Sequence, residues 1–302
     1  MQPLFSIVIA NYNYGRFLDD AIRSVIAQNM NDQVELIVCD AASTDNSVEI
    51  IKKYAGDLPP NICRSEWHSQ NAQHPPRNSG LITWWCSEKD GGQSAAFNKG
   101  FSHAKGKFLT WLNADDVLLP NALKSLASAI ERDPFCKWWT GSSVWCDAHM
   151  RIQQFFCAHR FSSFRARHSF LMVGGPSSFF TRELLTSAGG IDESLHFLMD
   201  IDLWHRFYRN GARYGRVIHP IFAYRIHENS KMSGADVSRD ATTLSRRKRA
   251  AEEGVVIRKR YGLTPLRWMR MIVLLLTYSL FDRIVSIYQT WKMKGTLLYG
   301  NK

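Results

Sequence analysis

The chain lacks several signatures that would have settled its class at once. Neither of its first two strand-to-helix turns, Asn11–Gly15 and Asp40–Asp45, is a Gly-x-Gly-x-x-Gly fingerprint or a Gly-rich Walker loop. A dinucleotide-binding fold and a P-loop ATPase are therefore disfavoured. The six cysteines (39, 63, 86, 136, 146 and 157) show no Cys-x-x-Cys spacing. Cys39 lies within an apolar strand pattern and reads as a core thiol, so a reduced, cytoplasmic setting is the expectation. Met1–Phe5 runs directly into a strand-like segment with no basic n-region and no cleavage site, unlike a secretory signal. The apolar run Met271–Phe281 is too short to span a bilayer. No internal repeat occurs.

Acidic residues are scarce in one region only. From Arg239 onward there are fourteen Lys and Arg against four acids, so about +10 of the chain's net +11 sits in that segment. The body is near neutral. Such a tail suggests a docking surface. Clusters at Arg246–Arg249 and Arg258–Arg260 lie just upstream of the Met271–Phe281 run, which has Trp and Tyr nearby, a combination suited to lying on an anionic membrane surface. A helix packed on the body with solvated cations is the alternative. No recognition motif accompanies the charges, so nucleic acid is not an expected partner.

What the chain does have is alternation. Strand-like runs at Phe5–Ala10, Val34–Cys39, Leu81–Trp85 and Phe108–Leu112 alternate with helical patterns through Phe17–Ile26, Val48–Tyr54 and Ala96–Ala104. This implies βαβ units and a mostly parallel sheet with right-handed crossovers. Asn61–Gly80 shows no period and reads as a long surface loop, either a lid or disordered. Downstream, Trp138–Thr140, Val144–Cys146, Gln153–Phe156 and Ser177–Phe180 read as strands. A helix through Leu184–Leu185 is stopped by Gly189–Gly190, and another starts at Met199. Trp84, Trp85, Trp138, Trp139 and Trp145 fall in apolar runs and read as core. Trp204 suits either a core position or a sugar platform.

The strand Phe108–Leu112 runs into Asn113-Ala114-Asp115-Asp116. Ligands bind beyond the carboxyl ends of strands in open α/β sheets. Paired carboxylates there suit a hard divalent cation such as Mg2+ or Mn2+. The competing reading is a helix N-cap, since Asp satisfies orphan amide donors and Pro120 begins a helical pattern. Asn13, Ser43 and Asp200 admit the same capping explanation.

Four ordered segments carry a resemblance: Phe5–Asn13, Glu35–Asp45, Ser87–Gln93 with Asn98-Lys99-Gly100, and Trp111–Asp116. Gly189–Glu193, Met199–Trp204 and Tyr224–His227 extend it, so it covers roughly residues 4–230. Together they resemble the signatures of family 2 glycosyltransferases, nucleotide-sugar-dependent enzymes of the GT-A fold. The resemblance implies an α/β, Rossmann-like mixed, mostly parallel sheet flanked by helices over residues 1–235. Within it, a nucleotide-sugar half (about 1–116) precedes an acceptor half (about 117–235), and a basic helical extension follows over 236–302.

It also implies roles. The Ala10, Asn11 and Asn13 turn and Asp40 would hold the donor nucleotide, which Asp90 would also face; Asn98 belongs to the same set of signatures. Asp115 matches the metal-binding Asp of the family's DXD motif, with Asp116 beside it and Asn113 where the first Asp usually stands. Asp200 matches the general base, with Asp202 as understudy and Trp204 nearby on the acceptor side. His227 matches a histidine that contacts metal or diphosphate. Ala41, Lys89 and Met199 depart from the usual Asp, Pro and Glu.

The expected activity is inverting, Mn2+- or Mg2+-dependent transfer from a UDP-, GDP- or dTDP-linked sugar to a saccharide or lipid-linked hydroxyl. Surface polysaccharide or glycolipid synthesis at the cytoplasmic membrane face is the expected setting. Two rivals stand beside it. One is a catalytically silent nucleotide-sugar-binding or scaffold protein of the same fold. The other is a nucleotidyltransferase, which would need a Gly-rich basic phosphate loop where Asn11–Arg16 offers one Gly and one Arg.

Overall fold

The protein is described by a computed structural model covering residues 2–70, 82–171, 173–228, 230, 241–263 and 280–298. Its strands are β1 (Phe5–Asn11), β2 (Val34–Asp40), β3 (Ile82–Ser87), β4 (Phe108–Asn113), β5 (Val117–Leu118), β6 (Trp138–Cys146), β7 (Ile152–Phe156), β8 (Ser178–Thr181) and β9 (Tyr214–Arg225). They form one sheet in the order β3-β2-β1-β4-β8-β6-β9-β5, with β7 added on β6. The β1–β2, β2–β3, β1–β4 and β6–β9 ladders are parallel and hold most of the paired residues. The others are antiparallel.

The sequence explains this layering. β1 and β2 are apolar on both faces because helices cover both sides of the sheet. Alternate side chains therefore enter different cores. Ile7, Ile9, Leu36 and Val38 pack with α1 (Gly15–Ile26), α2 (Ser47–Ala55) and α5 (Ala122–Arg132). Val8, Ile37 and Cys39 pack toward α4 (Gln93–His103), α6 (Ser163–His168), α7 (Arg182–Ser187) and α8 (Met199–Arg209). Gly100 lets α4 lie close to the sheet, since a Cβ there would stand 2.3 Å from Val8 Cγ1. From β1 the chain adds β2 and β3 on one side and then crosses back to place β4 on the other, creating a switch point at the carboxyl ends of β1 and β4.

Several details depart from the sequence reading. Part of the 61–80 loop is helical, α3 (Arg64–Gln70). It is tied down by the Arg64 guanidinium, which donates to Ile82 O and Ala55 O at 2.8 and 2.7 Å. Residues 71–81 lie outside the described residues, as do the boundary near 235 and most of Met271–Phe281. β9 was not read as a strand because Pro220 interrupts it. The ladder to β6 slips there, so the missing amide falls at an irregularity. Trp145 is exposed, beside the Phe156 and Tyr224 rings, and is not a core residue.

Downstream of β9, α9 (Ala241–Tyr261) packs Ile257 and Tyr261 into the core beside α8. A final helix, α10 (Leu280–Met293), packs against β7. Among the described residues no helix is long and apolar enough to cross a membrane.

Candidate functional site

Asn11, Asp40 and Ser87 end three adjacent strands in direct register, and Asn113 ends a fourth against Ala10. Asp40 organises this row. Its carboxylate accepts from Asn11 Nδ2 at 2.7 Å, Ser87 Oγ at 2.6 Å, the Ser43 amide at 3.0 Å and the Ser43 hydroxyl. Asp40 is buried, so it braces the strand ends, while Ala41 and Ala42 reach the cleft surface.

The first two turns are clipped together. Asn13, at φ 55°, accepts the Thr44 amide through Oδ1 at 2.8 Å and donates its own amide to Ser43 Oγ. Asn tolerates this left-handed conformation better than most residues. Asp45 accepts from the Gly15 amide at 2.8 Å and the Ser47 amide at 3.0 Å, serving the first turns of α1 and α2 together. A Cβ on Gly15 would meet Asn46 Oδ1 at 2.1 Å, which is why the two turns can touch. Neither Asn13 nor Ser43 caps the helix that follows it.

Beyond β4 the two adjacent acids part company. β5 follows them directly and α5 begins only at Ala122, after Asn121, so the pair does not cap a helix. Asp116 turns inward, accepting from the Arg225 amide at 3.0 Å and Asn113 Nδ2 at 2.8 Å. Burial first, and the neighbouring Asp115 charge second, hold its carboxyl well above the usual range. Asp115 turns into the cleft, where its Oδ2 lies 3.1 Å from His227 Nε2. His227 sits against the Tyr14 and Phe17 rings, with centroids at 5.7 and 4.5 Å. Asn113 Oδ1 accepts from Gln93 Nε2 at 2.7 Å, joining β4 to α4.

The cleft encloses about 900 Å3, near the upper end for small-molecule sites. Asn11, Tyr12, Asp90, Asn113 and Asp115 line one side. Asp90 Oδ1 accepts the Gly92 amide at 2.8 Å just before α4. Asn98 lies away from the cleft. It latches α4 to the Gly189–Ile191 turn, donating to Ile191 O at 2.8 Å and accepting from Ile191 N at 2.9 Å.

On the acceptor side the three expected residues separate. Asp200, half-buried on the first turn of α8, has its carboxyl pushed up to about 6 by desolvation, partly offset by the Ile201 amide. It is not among the residues that line the cleft, although His196 and Phe197 just upstream are. Asp202 is fully buried and bound by Arg206 at 2.8 Å, Arg260 at 2.6 Å and the Tyr261 hydroxyl at 2.7 Å. Trp204 is a core residue, stacked between Trp111 (5.7 Å) and Trp138 (5.2 Å) with its indole N–H donated to Val173 O. Neither is placed to touch a ligand in the cleft.

Sequence reasoning missed the opposite wall. Ser245, Arg246 and Arg249 of α9 line the cleft, so part of the basic tail belongs to the site itself. Glu253 of α9 accepts the His196, Phe197 and Leu198 amides at 2.8, 2.9 and 2.9 Å. These are orphan donors ahead of α8, and a carboxylate is favoured there. Leu198, the residue preceding α8, supplies no side-chain cap and neither does Asp200, so this distant acid takes the capping role.

Asp115 and His227 are the pair able to hold a cation. Among the described residues no group of three or more His, Cys, Asp or Glu converges as a complete cage. A carboxylate plus an imidazole suits Mn2+ or Mg2+ when a diphosphate supplies further oxygens. The donor set fits such an ion.

Comparison with known proteins follows from this geometry. The family profile described as Glycosyl transferase family 2 matches residues 6–81 and 72–185. GgaA of Bacillus subtilis strain 168, a minor teichoic acid biosynthesis protein, is 27% identical over 241 residues, covering 74% of this chain and 47% of the relative. Two uncharacterised glycosyltransferases, from Nostoc sp. and Rickettsia prowazekii, match over 32% and 61% of their own lengths, so the chain spans less than two thirds of these relatives. S. aureus TarS 1-349 in complex with UDP-GlcNAc superposes with a TM-score of 0.57 at 18% identity, covering 83% of this chain and 66% of that one. The mannosyltransferase PcManGT from Pyrobaculum calidifontis, in complex with GDP-Man and Mn2+, gives a TM-score of 0.52 at 16% identity, covering 96% and 85%. These two likenesses establish a GT-A fold. With the profile match running from residue 6 to residue 185, the chain belongs to glycosyl transferase family 2.

Proposed function

We propose that the chain transfers a sugar, with inversion, from a nucleoside-diphosphate donor in this cleft to a hydroxyl acceptor, as a step in polysaccharide or glycolipid synthesis. The pairing of Asp115 with His227, in a cleft that Arg246 and Arg249 also line, carries the reading, because it brings a cation-binding pair and two positive charges to one site. A diphosphate fits that arrangement. The relative named for minor teichoic acid biosynthesis, and the neighbours holding UDP-GlcNAc or GDP-Man with Mn2+, support it.

The chain's own residues supply the remaining parts. Asn11, Asn113 and the Ala41–Ala42 backbone form the surface for the nucleoside, braced from behind by Asp40. Asp115 and the Nε2 lone pair of His227 would hold Mn2+ or Mg2+, which when bound acts as a Lewis acid toward the leaving diphosphate. Arg246 and Arg249 stabilise the charge that grows on the same group as the anomeric C–O bond breaks. Asp200 accepts the proton of the attacking hydroxyl, and burial places its pKa near working pH, where a general base is most effective. A single displacement inverts the anomeric centre. Asp116, sequestered by Arg225 and Asn113, fixes the turn that aims Asp115.

The test is to incubate the protein with UDP-, GDP- and dTDP-sugars and Mn2+ and to measure nucleoside diphosphate release with and without candidate saccharide or lipid-linked acceptors. Donor-dependent release that disappears in Asp115→Ala is the expected result. Tight nucleotide binding without release under any condition would instead support the silent binding protein.

A further inference from the structure

The final helix, α10, is amphipathic in the unexpected direction. Its inward face is largely polar. Ser286 Oγ and Thr290 Oγ accept the amides of Cys157 and Phe155 at 3.2 and 3.0 Å. Asp282 is fully buried and pairs with Arg216 at 3.1 Å, and among the described side chains of the helix Val285 and Met293 pack against the small core under β7. The outward face is the apolar one. Ile284, Ile287, Tyr288 and Trp291 are 55%, 70%, 54% and 79% exposed. Their spacing of three and four residues makes one continuous stripe. An ordinary surface helix buries such a stripe.

Arg283 and Lys294 flank the stripe on one side and Lys292 on the other, and all three are exposed. Asp282 is the sole acid between residues 280 and 298, and it is buried. We propose that this face of α10 lies in the headgroup region of an anionic lipid bilayer, with Ile284, Ile287 and Trp291 inserted and Arg283, Lys292 and Lys294 on lipid phosphates. Charge complementarity selects this occupant. Two copies meeting through the stripe would oppose like charges, and four side chains fall well short of the roughly 800 Å2 per partner of a stable interface. Trp and Tyr favour the membrane–water boundary, where one end of the ring is apolar and the other wet.

This surface narrows the one the sequence suggested. Arg246 and Arg249, part of the cluster on which that expectation rested, line the cleft, so the contact moves to α10.

The experiment is co-sedimentation of the full chain with phosphatidylglycerol-containing vesicles and with pure phosphatidylcholine vesicles at low and high salt. The probes are wild type, Ile287→Ser/Trp291→Ser and Lys292→Glu/Lys294→Glu. Wild type is expected to bind the anionic vesicles at least tenfold better than the neutral ones, and salt should weaken that binding. Each double variant should lose most of it while keeping its melting temperature and its response to nucleoside diphosphate with Mn2+. Equal binding by wild type and both variants overturns the proposal, as does absence of binding by wild type. A wild-type dimer that the stripe variant converts to monomer also overturns it, assigning the face to a second copy.

Discussion

His227 Nε2 lies 3.1 Å from Asp115 Oδ2, although 112 residues separate them in the chain. Two different strands aim the pair. Asp115 leaves the end of β4 on a turn braced by Asp116, and His227 follows β9, whose Arg225 amide bonds that same Asp116. The buried Asp116 thus sets the spacing of Asp115 and His227.

Removing either ligand should uncouple nucleotide from metal. In wild type, a nucleoside diphosphate at about 100 times its Kd stabilises the fold by about 2.7 kcal/mol, and Mn2+ should enlarge the effect. Asp115→Ala and His227→Ala are expected to lose the Mn2+-dependent part in a thermal-shift titration. An undiminished Mn2+ response in both variants would exclude the assigned pair.

Asp200 gives a pH signature with two readouts. Its folded-state carboxyl, near 6, lies above the 3.8 of a solvated Asp, so the folded protein holds the proton more tightly. As pH rises from about 4 to about 6, ionisation becomes harder to accommodate and its contribution to stability falls. Transfer should rise through the same window, because the base must be ionised. Asp200→Asn should lower kcat by about 100- to 10,000-fold, flatten the acid limb of stability, and melt no lower than wild type at pH 7.5.

Glu253→Ala leaves three amides ahead of α8 without their carboxylate. A destabilisation of about 2 kcal/mol is expected, with a lower kcat because His196 and Phe197 lose their anchor. Glu253→Gln should recover part of both, since an amide oxygen still accepts hydrogen bonds. Chemical denaturation alongside kinetics measures this directly.

Arg246→Ala and Arg249→Ala probe the second cleft wall. Each should raise the donor KM by about tenfold, equivalent to about 1.4 kcal/mol, and make donor binding less sensitive to salt. The exposed Arg247 supplies the control: its alanine variant should match wild type in donor titrations.

Trp204→Ala tests the core assignment. Removing a fully buried indole between two others should cost about 3–5 kcal/mol, read as a large drop in melting temperature. A variant of normal stability with impaired acceptor use would restore the sugar-platform reading.

The first half of the fold was legible because each strand is a short apolar run and each helix shows its buried spacing, as in Phe17, Leu18, Ala21, Ile22 and Val25. β9 was hidden because Pro220 breaks the pattern at an irregularity that only its partner strand reveals. The site was legible as a set of strand ends, but depth was not. Nothing local distinguishes Asp40, bonded to residues 3, 29 and 47 positions away, from Asp115, which faces the cleft. The roles of Arg249 and Glu253 were invisible for a related reason. α9 is polar nearly all round, and Glu253 meets its partners 55 to 57 residues upstream.

That long reach sets an order of assembly. As the chain is synthesised, every strand of the sheet has been made once Arg225 has left the ribosome, yet the 196–198 loop still awaits the carboxylate of Glu253. A nascent protein at that stage has a nucleotide-facing edge without its second wall. Completion of the cleft is thereby delayed until α9 emerges and docks, so an unfinished chain is not expected to consume donor.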